Sequence, residues 1–115
     1  MNKLLVGLII LFAIATTAHA ADRTAKCEIK SGAEQVFNGK CKFMPEAGGS
    51  FSLSNFTEKP LFEEVVIVSV TIVGKGIAEV RGLTTSGNNS RWGEAKRSVK
   101  DPACWVGADF KICAR

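Results

Sequence analysis

The stretch Ser86-Gly87-Asn88-Asn89-Ser90-Arg91-Trp92 gathers the side chains best equipped for recognition chemistry. Hydroxyl and amide groups donate and accept hydrogen bonds, and a guanidinium engages a carboxylate through a two-pronged fork. An indole adds a large flat surface with one polar edge. Residues 84–90 are dense in Thr, Ser, Gly and Asn and are expected to form a long exposed loop. Such loops carry binding function when a rigid sheet holds both ends. Composition alone favours the plainer reading, an ordinary surface loop with Trp92 packed in the core.

Groups suited to catalysis are scarce. The single histidine is His19, so beyond residue 20 neither a Ser-His-Asp nor a Cys-His arrangement can be assembled. Glu63 and Glu64 are adjacent, and neighbours on a strand point to opposite faces, which does not make an acid/base pair. Serines and lysines are plentiful, but nothing marks a dyad. The expectation is a protein that is not an enzyme, with no metal and no cofactor.

The elements that position the loop begin with a leader. Lys3 precedes an apolar run over residues 4–15, interrupted by Gly7, and Ala18-His19-Ala20 has the small-x-small form of a signal-peptidase site. The run is too short to span a membrane comfortably. Lys26 stands before Cys27 where a lipid-attachment motif needs a small residue. The reading is a cleaved signal peptide over residues 1–20 and one exported domain over residues 21–115, periplasmic or secreted, with no stable membrane anchor. Without the leader the chain has 95 residues, 14 basic and 11 acidic, a net charge of +3.

Four cysteines remain in that domain: Cys27, Cys41, Cys104 and Cys113. An even number in a small exported domain reads as two disulfides, which supplement a modest core. Three connectivities are open; Cys27–Cys41 with Cys104–Cys113 is favoured because each bridge would clasp a local hairpin. Their spacing does not suit a thiolate metal site.

The rest reads as short strands and turns. Cys27 and Ile29 share a face, and so do Cys41 and Phe43, with Lys40 and Lys42 opposite. Asn38-Gly39 between them is the strongest short-range hairpin signal in the chain. Residues 50–54 alternate strictly, with Phe51 and Leu53 inward. The β-branched run 65–73 suits a central strand, with Val66, Val68, Val70 and Ile72 on one face. Residues 62–67 also allow a short helical turn. Residues 77–82 and the polar segment 91–99 follow as strands, and 104–106 and 110–113 form a closing hairpin around Gly107. The fold class expected is all-β: a small antiparallel barrel or sandwich of seven to eight short strands stapled by two disulfides.

Residues 91–115 carry Arg91, Lys96, Arg97, Lys100, Lys111 and Arg115 against Glu94, Asp101 and Asp109, which is the whole +3 excess. A basic face of this kind suits lipopolysaccharide or another anionic glycan. No nucleic-acid fold is evident, and nucleic acid is not an expected partner.

The stretch Ser86 to Trp92, followed by Cys104-Trp105-Val106-Gly107-Ala108-Asp109, resembles the periplasmic and membrane-bound inhibitors of c-type lysozyme. That family carries a Ser-Gly-Ala-Arg-Tyr loop and then an aromatic-Trp-x-Lys-Gly-Asp/Asn segment. Its members are small disulfide-stapled β-barrels exported by Gram-negative bacteria. The resemblance covers roughly the last third of the chain, which also looks like small exported bacterial proteins of unknown role. It implies a protein partner, with c-type lysozyme the candidate, whose two catalytic carboxylates an inserted loop would engage. Arg91 matches the loop arginine, Trp92 stands for the tyrosine, and Asn88 takes the serine position with Ser86 or Ser90 as substitutes. Asn89 replaces the loop glycine. Trp105 matches the family tryptophan, Gly107 stands where the family has its second cation, and Lys96 or Lys100 would have to replace that cation. Asn55-Phe56-Thr57 and Asn88-Asn89-Ser90 match the glycosylation acceptor pattern; with a leader of bacterial character, neither is expected to carry glycan.

Overall fold

The computed structural model describes Gly7 and residues 20–115. The leader expected over residues 1–20 lies outside the described residues, Gly7 and Ala20 apart. Eight strands follow in chain order: β1 (Arg23–Ser31), β2 (Glu34–Pro45), β3 (Phe51–Ser54), β4 (Val65–Gly74), β5 (Ile77–Thr84), β6 (Asn89–Arg97), β7 (Cys104–Val106) and β8 (Phe110–Ala114). Each is antiparallel to the next, and β8 returns to pair with β1, so the sheet closes into a barrel. Closure pairs every strand on both sides and removes the exposed edges an open sheet would present. The expectation of a small all-β domain is met by the barrel form.

Period-two alternation explains what fills it. Ala25, Cys27 and Ile29 of β1, Phe51 and Leu53 of β3, Val68 and Val70 of β4, Ala78 and Val80 of β5, and Ile112 of β8 are buried inside. Full burial of side chains such as Leu53, Val68 or Ile112 stabilises by roughly 1.5–3 kcal/mol each. The face read on β4 is fully buried only at its centre. Val66 and Ile72 are half-buried, because register shifts at both ends of the β4–β5 ladder turn the strand there.

Both disulfides form with the favoured pairing. Cys27–Cys41 lies inside the barrel, diagonally across β1 and β2, where Cys41 is in register with Ala25 and Cys27 with Gly39. Cys104 and Cys113 sit directly opposite each other on the outer side of β7 and β8. Two disulfides fit an extracellular or periplasmic protein.

Several local readings need correction. The first hairpin turns at Gly32-Ala33, not at Asn38-Gly39, which lie inside β2. Gly32 adopts φ 60°. Continuing β2 through Asn38-Gly39 keeps the whole of β1 paired and brings Cys41 across from Cys27, which outweighs the local turn preference. Residues 62–67 form no helical turn. Phe62 bridges to Val65, whose N–H donates to the Phe62 carbonyl at 2.9 Å, and Glu63 takes φ 47°. Glu63 and Glu64 therefore stand exposed in a turn, not on a strand. The polar strand ends at Arg97 instead of running to residue 99, and Val99 is 96% exposed.

The barrel has two rims. The β1–β2, β3–β4, β5–β6 and β7–β8 connections form the upper rim, and the β2–β3, β4–β5 and β6–β7 connections form the lower.

Candidate functional site

The segment expected to be a long loop is a short turn on the upper rim. β5 runs on to Thr84 and β6 begins at Asn89, leaving residues 85–88 between them. The Thr84 N–H donates to the Asn88 carbonyl at 2.9 Å and the Gly87 N–H to the Thr84 carbonyl at 3.0 Å. Gly87 sits at φ 86°, a conformation that side chains strain. Side chains brace the turn further: Thr84 Oγ1 and Ser86 Oγ lie 2.9 Å apart, and Asn88 Nδ2 donates to Ser86 Oγ at 3.3 Å. The Thr85 N–H donates to the Glu64 carbonyl at 2.9 Å, tying the turn to the β3–β4 connection. Ser86, Asn88, Asn89 and Ser90 are all exposed. The turn is short and internally bonded, so it presents its polar groups in a set arrangement.

Arg91 and Trp92 leave the turn in opposite directions. Arg91 lies on the outer wall, where Nη2 and Nε donate to the two carboxylate oxygens of Glu79 at 2.7 and 3.2 Å. Those hydrogen bonds, with the charge of Glu79, raise the guanidinium pKa further above its ordinary value. Trp92 turns inward. A bulge places it opposite no single residue of β5, since Val80 pairs with Gly93 and Arg81 with Arg91. Gly93 accommodates the bulge at φ 115°. The indole lies flat on Gly82, where a Cβ would come within 2.9 Å of Nε1. Phe62 and Phe110 flank it, with ring centroids at 5.9 and 5.8 Å. Trp92 is thus half-buried, helping to plug the upper end of the barrel.

The remaining assignments spread apart. Lys96 is exposed on β6, seven residues from Asn89, or roughly 23 Å along an extended strand. It does not join the turn. Lys100 lies in the β6–β7 connection on the lower rim. Trp105 is buried, 3% exposed, and lies toward the lower rim, away from the turn. Gly107, which the resemblance would align with a lysine, lies under the Phe110 ring, and any Cβ there would fall inside that ring's van der Waals envelope. The position has no room for a lysine in this packing. The structure thus joins Ser86 and Asn88 side chain to side chain, leaves Asn89 and Ser90 exposed at the start of β6, and turns Arg91, Trp92 and Lys96 away from that cluster.

Sequence reasoning missed Ser31, Phe62, Asp109 and Phe110, which with Trp92 line a cavity of about 170 Å³ at the upper rim. The available signal was Gly82 in the interior of a strand pattern, which marks close approach of another group. It also missed a cationic row on the outer wall. Lys96 pairs with Val106, Val106 with Lys111, and Lys111 with Lys30. Directly opposed like charges such as Lys30 and Lys111 destabilise a sheet. Of the basic residues expected on one C-terminal face, Arg91 is held by Glu79 and Arg115 by Asp101.

Chemically, the upper turn supplies hydroxyl and amide hydrogen bonds, and the outer wall supplies positive charge. Among the described residues no three His, Cys, Asp or Glu side chains converge as a metal site would require, and every cysteine is bridged. In comparisons with protein-family models, with curated proteins and with solved structures, nothing matches this chain.

Proposed function

We propose that this protein is an exported, inhibitor-type binding barrel that inserts the β5–β6 turn into an acidic cleft of a partner enzyme, with c-type lysozyme the partner class to test. The observation that carries the reading is the self-bonded turn at residues 84–88, with Ser86 and Asn88 joined side chain to side chain. A turn ordered before contact loses little conformational freedom on binding. Its hydroxyl and amide groups are suited to the paired carboxylates of a glycoside hydrolase. The eight-stranded, disulfide-stapled barrel agrees with the fold the resemblance implies. Arg91 enters in a second step, exchanging Glu79 for a carboxylate of the partner. The test is lysis of a peptidoglycan suspension by c-type lysozyme, with and without the oxidised protein, at low and moderate salt. Dose-dependent protection, weakened by Ser86→Ala, Asn88→Ala, Ser90→Ala and Arg91→Ala, supports the reading. Absence of protection at large excess refutes it for this partner, and protection indifferent to all four variants refutes the site.

The Lys96–Val106–Lys111–Lys30 row favours a second reading, a module that binds an anionic glycan or lipopolysaccharide through the outer wall. Like charges held in register at a cost to the sheet form an electrostatic footprint for an anion. Retention on a heparin column that falls steeply with salt, and falls further in Lys30→Glu and Lys111→Glu, would support this reading. Elution of both variants with the parent would exclude it.

A further inference from the structure

The lower rim holds a feature that neither the β5–β6 turn nor the lysine row uses. Arg23, Phe43, Phe51, Ile72, Arg97 and Trp105 line an open cavity of about 200 Å³ there. Arg23 stands two residues before buried Ala25, in register with Phe43, and Arg97 two residues after buried Ala95, in register with Trp105. Period-two alternation therefore gives both arginines the inward-facing parity of their strands, at the mouth of the barrel. Each guanidinium lies over an aromatic face: the Arg23 Cζ is 4.2 Å from the Phe43 ring centroid and the Arg97 Cζ 5.5 Å from that of Trp105. Phe43 in turn stacks on Phe51 at 4.9 Å. Arg97 Nε donates to the Pro102 carbonyl at 2.8 Å, which sets the direction of its fork.

Neither arginine is neutralised. The ion pairs among the described residues are Lys42–Asp22, Arg91–Glu79 and Arg115–Asp101. Arg115 and Arg91 each find a carboxylate, whereas the two arginines of the mouth have only rings and a backbone carbonyl. An apolar floor is sufficient to plug a barrel, and two unpaired guanidiniums at its rim repel each other. Together they complement an organic anion: the forks take a carboxylate through charge-assisted hydrogen bonds, and the rings take the body attached to it. The cavity, about 200 Å³, is a little larger than the roughly 150 Å³ that accommodates a benzene ring, so that body is about one ring in size.

We propose that the lower mouth of the barrel is a binding site for a small carboxylate with a flat or short apolar body, held between Arg23 and Arg97 over Phe43, Phe51 and Trp105. The site is independent of the upper turn, and a partner bound at one rim leaves the other open.

Benzoate is the probe, and benzamide, its neutral isostere, the comparator, with ionic strength held constant by sodium chloride. The chain has two tryptophans, so a Trp92→Phe background leaves Trp105 as the emitter. Benzoate is expected to change Trp105 emission saturably, with a dissociation constant on the order of 1 mM for so small a ligand. Benzamide should bind about tenfold or more weakly, and Arg23→Gln and Arg97→Gln should each weaken benzoate by about tenfold. Should Arg97→Gln disturb the fold through the lost Pro102 contact, Arg23→Gln, whose side chain makes no such bond, decides alone. Equal binding of benzamide, undiminished binding in Arg23→Gln, or no saturable response in the folded parent would each overturn the proposal.

Discussion

Gly107→Ala isolates what the Phe110 ring does at the upper end of the barrel. Gly107 does not adopt a left-handed φ, so alanine brings no backbone strain, only a methyl group where the ring lies. Phe110 is 7% exposed and packs against Trp92, so the ring cannot swing aside without losing burial and an aromatic contact. Overpacking of a filled core costs about 1–3 kcal/mol. Loss of the edge contact with Trp92 adds about 0.5–1.5 kcal/mol. Stiffening of the unfolded chain by alanine returns about 0.4–1 kcal/mol. The net expectation centres on a loss of about 2 kcal/mol, which for a domain of this size lowers Tm by about 8–16 °C. Thermal unfolding followed by circular dichroism reads the shift, and Trp92 emission reports the displaced ring. In a Phe110→Ala background the same substitution should cost almost nothing, a coupling that a double-mutant cycle measures. An unchanged or raised Tm for Gly107→Ala would refute the packing argument, and with it the claim that no lysine fits at this position.

Further expectations concern stability and pH. Removing Cys27–Cys41, which spans 14 residues, should cost about 3 kcal/mol, and removing Cys104–Cys113, which spans 9, about 2.5 kcal/mol on loop-closure entropy; denaturant titration of paired Cys→Ser variants checks both. Hydrogen bonds from Arg115 hold the Asp101 carboxyl below its ordinary range. Its contribution is present above the unfolded pKa and is lost as pH falls through the depressed folded value. Asp101→Asn should flatten that acid limb of a Tm–pH profile, and an identical limb in both proteins would contradict the assignment. Trp92→Ala should lower Tm by roughly 10 °C or more, since it unplugs the upper end; a stable variant with altered partner binding would show instead that Trp92 is a contact residue.

Much of this fold was legible because alternation is a local signal. Phe51 and Leu53, or Val68 and Val70, declare an inward face by spacing alone, and hairpin-local cysteines favour hairpin-local bridges. The misreadings occurred where distant pairing overrules a local preference. Asn38-Gly39 has the composition of a turn, yet β1 and the Cys27–Cys41 bridge hold it in a strand. Arg91 and Trp92 read as one recognition pair, but the bulge at Gly93 sends one outward to Glu79 and the other into the barrel. The lysine row and the arginine mouth were hidden for another reason. Lys30, Lys111 and Lys96 become neighbours through the β8–β1 closure and the β6–β7 and β7–β8 ladders, and Arg23 meets Arg97 only across the mouth. Spacing within one strand carries no trace of either.

The β6–β7 ladder pairs only Lys96 with Val106 and Arg97 with Trp105, whereas β1 is paired with β2 along its whole length, with one bulge between Ile29 and Lys30. A closed ring opens first where its clasp is shortest, and here the clasp is two residues wide. Two of the groups that line the lower mouth, Arg97 and Trp105, are the lower half of that clasp. A molecule seated between Arg23 and Arg97 would fasten the ring shut, slowing hydrogen exchange most at the β6 and β7 amides. Occupancy of the mouth would thus be written in the rate at which this bracelet unclips.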